Sequence, residues 1–316
     1  MNVKPPGPGT RRDLISGPSR VRSVVTDRAH RRRDLAGFAL GMSGWAFAGI
    51  VWVVGWQIGK FHLSTDITDI FLPAGRAFLA GANPYADGVA PAGLPFLYAP
   101  PWAALFGLIA PLGPGLIYAL LIVLELLSLR YIAGSWVRAG AFCWFLLVPW
   151  EILSGQLNLL AAAAITAAAL GRPGPAAIMA FAKVSPVLAV SPRDWRPFLI
   201  AVVVFSALSL PDPMAWVWWI QRLVTTLAAP VGPLVPVPFL LRLPVGLAFV
   251  AWGRPWSRAL GAAIATPGLY WGALVVLVAP LGVALRPDVR RPDGHRLDGD
   301  HGVAAAADSA LGQQER

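Results

Sequence analysis

The run A-G-F-A-L-G-M-S-G-W-A-F-A-G-I-V-W-V-V-G-W-Q-I-G, from Ala36 to Gly59, contains no charged residue. A helix rises about 1.5 Å per residue, so about 20 apolar residues cross the roughly 30 Å hydrocarbon core of a bilayer. This run is long enough, and it decides the fold. The rest of the chain agrees: of 316 residues 56% are hydrophobic and 13% charged, with a mean hydropathy of +0.61. Lipid leaves backbone polar groups no water, so only helices and closed barrels span it. The alternation of a barrel strand is absent, and an all-α, polytopic transmembrane bundle is expected.

Outward from the first span, further apolar runs lie at about Leu97–Leu112, Gly115–Leu129, Ala139–Pro149, Leu157–Leu170, Pro175–Val190, Phe198–Leu210, Leu234–Ala251 and Ala259–Leu281. The expected count is about nine spans, within eight to ten. Several runs are short and interrupted by Pro or Gly, the mark of half-helices or re-entrant pieces.

Before the first span, residues 1–34 form a basic arm. Nine Lys and Arg stand there against Asp13, Asp27 and Asp34, a surplus of six out of the chain's net charge of +10. Basic flanks stay in the cytoplasm, which places the arm inside and the loop at 60–95 outside. The arm is expected to be disordered, and topogenesis accounts for its charge without a nucleic-acid partner. The first helix is expected to remain as an anchor, since its apolar stretch exceeds a signal-peptide core. Residues 35–285 form the transmembrane domain, and 286–316, rich in Gly, Asp and Ala, read as a disordered tail. Cys143 is the sole cysteine, which excludes an intramolecular disulfide and a cysteine-based metal site. Two alternating assignments fit poorly: Arg130 and Arg138 fall outside on this count.

The external loop carries D-I-F-L-P-A-G-R-A-F-L-A-G-A-N-P-Y, Asp69 to Tyr85, and then F-L-Y-A-P-P, Phe96 to Pro101. On a helix Asp66, Asp69, Pro73, Arg76 and Ala80 share one stripe. Ile67, Ile70, Phe71, Ala74 and Phe78 share the opposite one, the pattern of a helix lying in the membrane interface. Pro73 either kinks this helix or starts a new one in its first turn. Asp66 and Asp69 read either as solvated, helix-capping acids or as a pair facing a polar cleft. Gly81 to Tyr85 reads as a turn leaving the helix. Tyr85, Tyr98 and Trp102 suit an interfacial aromatic belt.

Inside the bundle, Lys183 stands in an otherwise apolar run, where a charge faces a cavity or a partner. A lipid phosphate or an internal acid, Glu125 or Glu151, would answer it. Ser154-Gly155-Gln156-Leu157-Asn158 is a polar break whose Gln156 and Asn158 either bond between helices or line a polar cavity. Asp212-Pro213-Met214 opens a segment with Trp216, Trp218 and Trp219 that reads as interfacial, its rings suited to stack on a sugar or a prenyl chain. No Gly-rich nucleotide loop, D-x-D or HExxH motif occurs, and no metal or cofactor is expected.

The order of these motifs, Asp69 with N-P-Y at Asn83–Tyr85, Y-x-P-P at Tyr98–Pro101, G-Q-x-N at Gly155–Asn158 and K-x-x-P at Lys183–Pro186, resembles glycosyltransferase family 87. That family comprises GT-C type membrane enzymes, among them polyprenyl-phosphate-mannose-dependent mannosyltransferases. The likeness runs from about Asp66 to Pro186, and the last third is matched only in hydrophobic character. The chain is short for the family and has Pro73 where an aromatic is frequent. The resemblance implies a GT-C-like fold in the cell membrane. It also implies a polyprenyl-phosphate-linked sugar donor and a lipid or glycan acceptor. Asp69 would be the catalytic base with Asp66 second, and Arg76, Asn83, Tyr85, Tyr98, Gln156, Asn158 and Lys183 would contact donor or substrate. A small-solute transporter and a non-catalytic relative are the other classes that the residues leave open.

Overall fold

The computed structural model describes residues 18–57, 66–90, 95–228, 238–266 and 272–286. The start of the basic arm, the tail beyond Arg286 and the parts of the external loop at 60–65 and 91–94 lie outside the described residues. Among the described residues the protein is all-helical, without a strand.

Helix α1, Pro18–Gln57, begins well before the first apolar run and takes in the second half of the basic arm. Within it Arg32–Gly55 is apolar and long enough to cross a bilayer. A π-helical turn, Asp66–Phe71, leads into α2, Leu72–Leu79, followed by α3, Pro100–Ile109, and α4, Pro114–Ala133. Helix α4 is the second such helix. Helices α5, Trp136–Phe142, and α6, Leu147–Ser154, form one apolar run bent by 100°. Next come α7, Asn158–Ala169, α8, Gly174–Ala180, α9, Trp195–Ser206, and α10, Met214–Ala228. The segment containing α9, Pro192–Ser209, makes an angle of 105° with Met214–Thr225. Helices α11, Phe239–Ala251, α12, Pro255–Ile264, and α13, Val278–Ala284, complete the order.

Among the described residues two helices are therefore long and apolar enough to cross a membrane, or up to four if each bent pair is one span. Two of the sequence runs divide for identifiable reasons. Pro175–Val190 breaks after α8 and resumes as a 3₁₀ turn, Ser185–Ala189, with Pro186 in its first turn, where the missing N–H is harmless. The run Ala259–Leu281 contains the end of α12 and the start of α13, separated by Ala265, Thr266, residues 267–271 outside those described, and a 3₁₀ segment, Gly272–Leu277.

Helix α7 is the centre of the bundle. Its sequence, N-L-L-A-A-A-A-I-T-A-A-A, is buried on nearly every side. Leu159, Ala162, Ile165 and Ala168 join one buried cluster with Ile132 of α4, Ile152 of α6, Ala262 of α12 and Val278 of α13. Ala161 and Ala164 join the other, with Phe71, Phe78, Trp102 and Phe106. Small side chains permit close approach from several directions, and in lipid that packing, more than hydrophobic transfer, holds helices together. The same logic joins α1 to α5. A Cβ on Gly44 would fall 1.8 Å from the carbonyl oxygen of Gly140, so both positions require glycine. Trp45 Nε1 donates to Trp136 O at 3.0 Å and Trp52 Nε1 to Pro149 O at 3.1 Å, fastening α1 to α5 and α6.

Candidate functional site

The acidic turn follows from its sequence. D-I-T-D-I-F places Ile67, Ile70 and Phe71 on one buried side and leaves Asp66 and Asp69 half-buried. Pro73 falls in the first turn of α2, so it starts a new helix there. The amphipathic period expected from the sequence is present, but its apolar stripe is not turned to lipid. Ile67, Phe71, Ala74 and Phe78 are each at most 3% exposed and pack on α3, α4 and the aromatic residues of the loop. At the α2–α3 crossing a Cβ on Gly75 would lie 2.3 Å from the backbone nitrogen of Gly107. This contact sets the depth of the acid-bearing segment.

The turn after α2 takes the expected form. Gly81 has φ +68°, its N–H donates to Phe78 O at 3.0 Å, and Ala82 N–H reaches back to Ala77 O at 2.9 Å. Asn83 Oδ1 accepts from Tyr85 N–H at 2.9 Å, and Tyr85 O–H donates to Tyr98 O at 2.9 Å. Burial, with the Asp212 carboxylate adding to it, pushes the Tyr85 phenol well above its ordinary range, which keeps it a neutral donor. Tyr85 and Trp102 are buried in the protein and form no interfacial belt. Phe71 stacks on Phe106 at 4.6 Å and meets Tyr98 at 5.4 Å, and Trp102 lies 5.8 Å from Phe205 of α9.

The Y-A-P-P segment is in turn tied to the region of the lysine. Ala99 N–H donates to Phe181 O at 2.8 Å and Trp102 Nε1 to Ile178 O at 3.2 Å. Lys183 ends that stretch, its own N–H donating to Met179 O at 2.7 Å. Its side chain interacts electrostatically with Asp66 and with Glu151. The Glu151 carboxylate reaches over the polar break to the start of α7, where Oε1 accepts from Asn158 N–H at 2.8 Å and satisfies one of the open donors of that helix. Asn158 Nδ2 donates to Gln156 Oε1 at 2.9 Å. Asp66, Lys183, Glu151, Gln156 and Asn158 thus belong to one polar cluster, although they come from four separate segments.

The acids differ. Burial raises the Asp66 carboxyl above the usual carboxylate range; the Lys183 ammonium opposes this and Asp69 adds to it. Asp69 lies one turn on and accepts from Thr68 Oγ1 at 3.0 Å. Arg76 is exposed on α2 and forms no ion pair with either acid. Arg222 of α10 pairs with Asp87 of the loop at 2.9 Å.

Three polar residues matter more than their sequence context suggested. Glu151 holds two segments of the cluster together. Glu125 of α4 is fully buried, interacts electrostatically with Glu151, and has no hydrogen-bond partner for either oxygen. Arg242 of α11 donates to Ile264 O at 2.8 Å and Thr266 O at 2.9 Å, closing the end of α12. A basic residue within an apolar run, as for Lys183, was the available signal for Arg242. No group of three or more metal-ligating side chains occurs among the described residues.

The arrangement defines a class: an all-helical protein with candidate membrane-spanning helices and a polar cluster where the first loop meets the bundle. No family model, curated protein or solved structure matches the chain.

Proposed function

We propose that this protein is a membrane glycosyltransferase that moves a hexose, mannose being the first expectation, from a polyprenyl-phosphate-linked donor to a lipid or glycan acceptor. The observation that supports this reading is the convergence of separate motifs. N-P-Y is bonded to Y-x-P-P through Tyr85 and Tyr98, and Y-x-P-P to the lysine segment through Ala99 and Phe181. G-Q-x-N meets Lys183 through Glu151. In the proposed reaction the acceptor oxygen attacks the anomeric carbon as an aspartate takes its proton. The bond from that carbon to the phosphate oxygen breaks, and Lys183 offsets the charge left on the polyprenyl phosphate. The sequence motif points to Asp69 as this base, whereas the electrostatic contact with Lys183 favours Asp66. We assign the base to Asp66, with Asp69 in support.

The reading carries with it a GT-C-like arrangement of about nine crossings, in which short helices combine into spans, with the basic arm cytoplasmic and the acidic loop external. The test is transfer from a panel of polyprenyl-phosphate sugars by purified protein in liposomes, with Asp66→Asn and Asp69→Asn beside the parent. Loss of a positioned general base costs about 10²–10⁴-fold in rate. A loss of that size in Asp66→Asn, and a smaller one in Asp69→Asn, is expected. The reverse order returns the role to Asp69, and parental rates in both remove the pair from the chemistry. Transport is a second reading, favoured by Glu125, whose unanswered carboxyl inside a candidate span is a feature of proton-coupled carriers. Proton uptake by proteoliposomes that disappears in Glu125→Gln, without sugar transfer by the parent, would select it.

A further inference from the structure

The bend between α9 and α10 turns the chain from one surface onto another. Pro192–Ser209 has 18 residues and is about 27 Å long at 1.5 Å per residue, close to the thickness of the hydrocarbon core. Its outer face carries Leu199, Ile200, Val203 and Val204, each 50% to 69% exposed. Such a face is suited to lipid and not to water. After the 105° turn, a segment perpendicular to the membrane would be followed by one about 15° from its plane. The turn is braced, since Trp216 Nε1 donates to Ser209 Oγ at 3.0 Å and Asp212 N–H to Ser209 O at 3.2 Å.

Helix α10 has three differing sides. Met214, Val217, Ile220 and Val224 recur at helical spacing and are 46% to 62% exposed. Beside Val217, Ile220 and Val224, about a quarter of a turn further round and flanking Met214, Gln221 and Thr225 are exposed and polar. The remaining side faces the acid-bearing loop: Trp219 Nε1 donates to Leu97 O at 3.0 Å, and Arg222 pairs with Asp87 at 2.9 Å. An exposed apolar stripe with a polar margin is the pattern of a helix lying in the interface of a bilayer. Met214–Thr225, about 18 Å long by the same rise, is too short to cross one alone.

We infer that α10 lies in the interfacial layer of the membrane, with Val217, Ile220 and Val224 in the acyl boundary, and that lipid so seated holds the loop bearing Asp66 and Asp69 through Trp219 and Arg222. The partner is the glycerophospholipid surface itself. Continuity with the exposed apolar face of α9 favours lipid over a second protein chain. The inference rests on the membrane class of the protein and is independent of the transfer reaction.

Single cysteines carrying an environment-sensitive fluorophore, introduced in a Cys143→Ser background, test it in phosphatidylcholine–phosphatidylglycerol liposomes. Val217→Cys, Ile220→Cys and Val224→Cys should be quenched by lipids with a nitroxide near the head group, and less by lipids with one near the chain end. Gln221→Cys and Thr225→Cys should be quenched by iodide. Stronger quenching from the chain end would make α10 a buried re-entrant piece, and iodide quenching at all five positions would leave it in water. Protection from lipid and iodide alike would mean a protein covers it. Each of these outcomes overturns the inference. For the coupling, a spin label at Ala86→Cys should gain mobility when Ile220→Asp and Val224→Asp are added, and not with Ile220→Leu. Unchanged mobility in the monodisperse acidic variant would show that lipid seating does not hold the loop.

Discussion

At the residue scale, the difference between Asp66 and Asp69 is one of surroundings. Both are acids on one side of one turn, and the Asp66 carboxyl, raised by burial, interacts electrostatically with Lys183. A base must be ionised to accept a proton, so activity should rise as pH rises through the carboxyl's raised titration range. Lys183→Met removes the cation that holds that range down, and the acidic limb of the pH–rate profile should move to higher pH as the rate falls. Asp69→Asn removes a like charge and should move the limb the other way. A limb unmoved by both substitutions would place the titrating group elsewhere. Arg222→Ala is expected to change stability little, by under about 1 kcal/mol in thermal unfolding, because the Asp87 side chain is 92% exposed and exposed pairs contribute little.

At the element scale, glycines set how deeply the functional segments sit. The α2–α3 crossing leaves no room for a side chain at Gly75, where backbone atoms of Phe106 and Gly107 would stand within 3 Å of a Cβ. Gly75→Val should therefore force α2 away from α3 and destabilise the fold by about 1–3 kcal/mol, the usual scale of overpacking. Because the acidic turn precedes α2 directly, turnover should fall more than stability alone explains. Comparing activity at equal folded fraction checks this. Gly115→Ala is the control, as nothing lies within 4 Å of a Cβ there, and it should leave the folded fraction unchanged. The helical stripe of the loop was readable from residue types, because period reports which side is apolar. What covered that side was not readable: protein covers α2, whereas the corresponding stripe of α10 stands open.

At the scale of the whole molecule, sidedness is the accessible test. Asp87→Cys in a Cys143→Ser background should react with an impermeant thiol reagent in intact cells, since that side chain is exposed beside the loop turn. Reaction only after the membrane is opened would put the loop and the cluster on the cytoplasmic side. By itself the sequence determined the all-helical class, the place of the first candidate span, the turn at Gly81 and a break in the helix at Pro73, which the tertiary structure resolved as the start of a new one. Each depends on forces acting within about 25 neighbouring residues: hydrophobic length, backbone freedom and the missing proline N–H. The tertiary structure alone decided that Glu151 bridges to Asn158, that Lys183 comes within electrostatic reach of Asp66, that Arg76 stays apart, and that α5 with α6 and α9 with α10 are bent pairs. Those depend on contacts between segments tens of residues apart, where side-chain size at the crossings sets which polar groups come within reach and composition carries no record of the pairing.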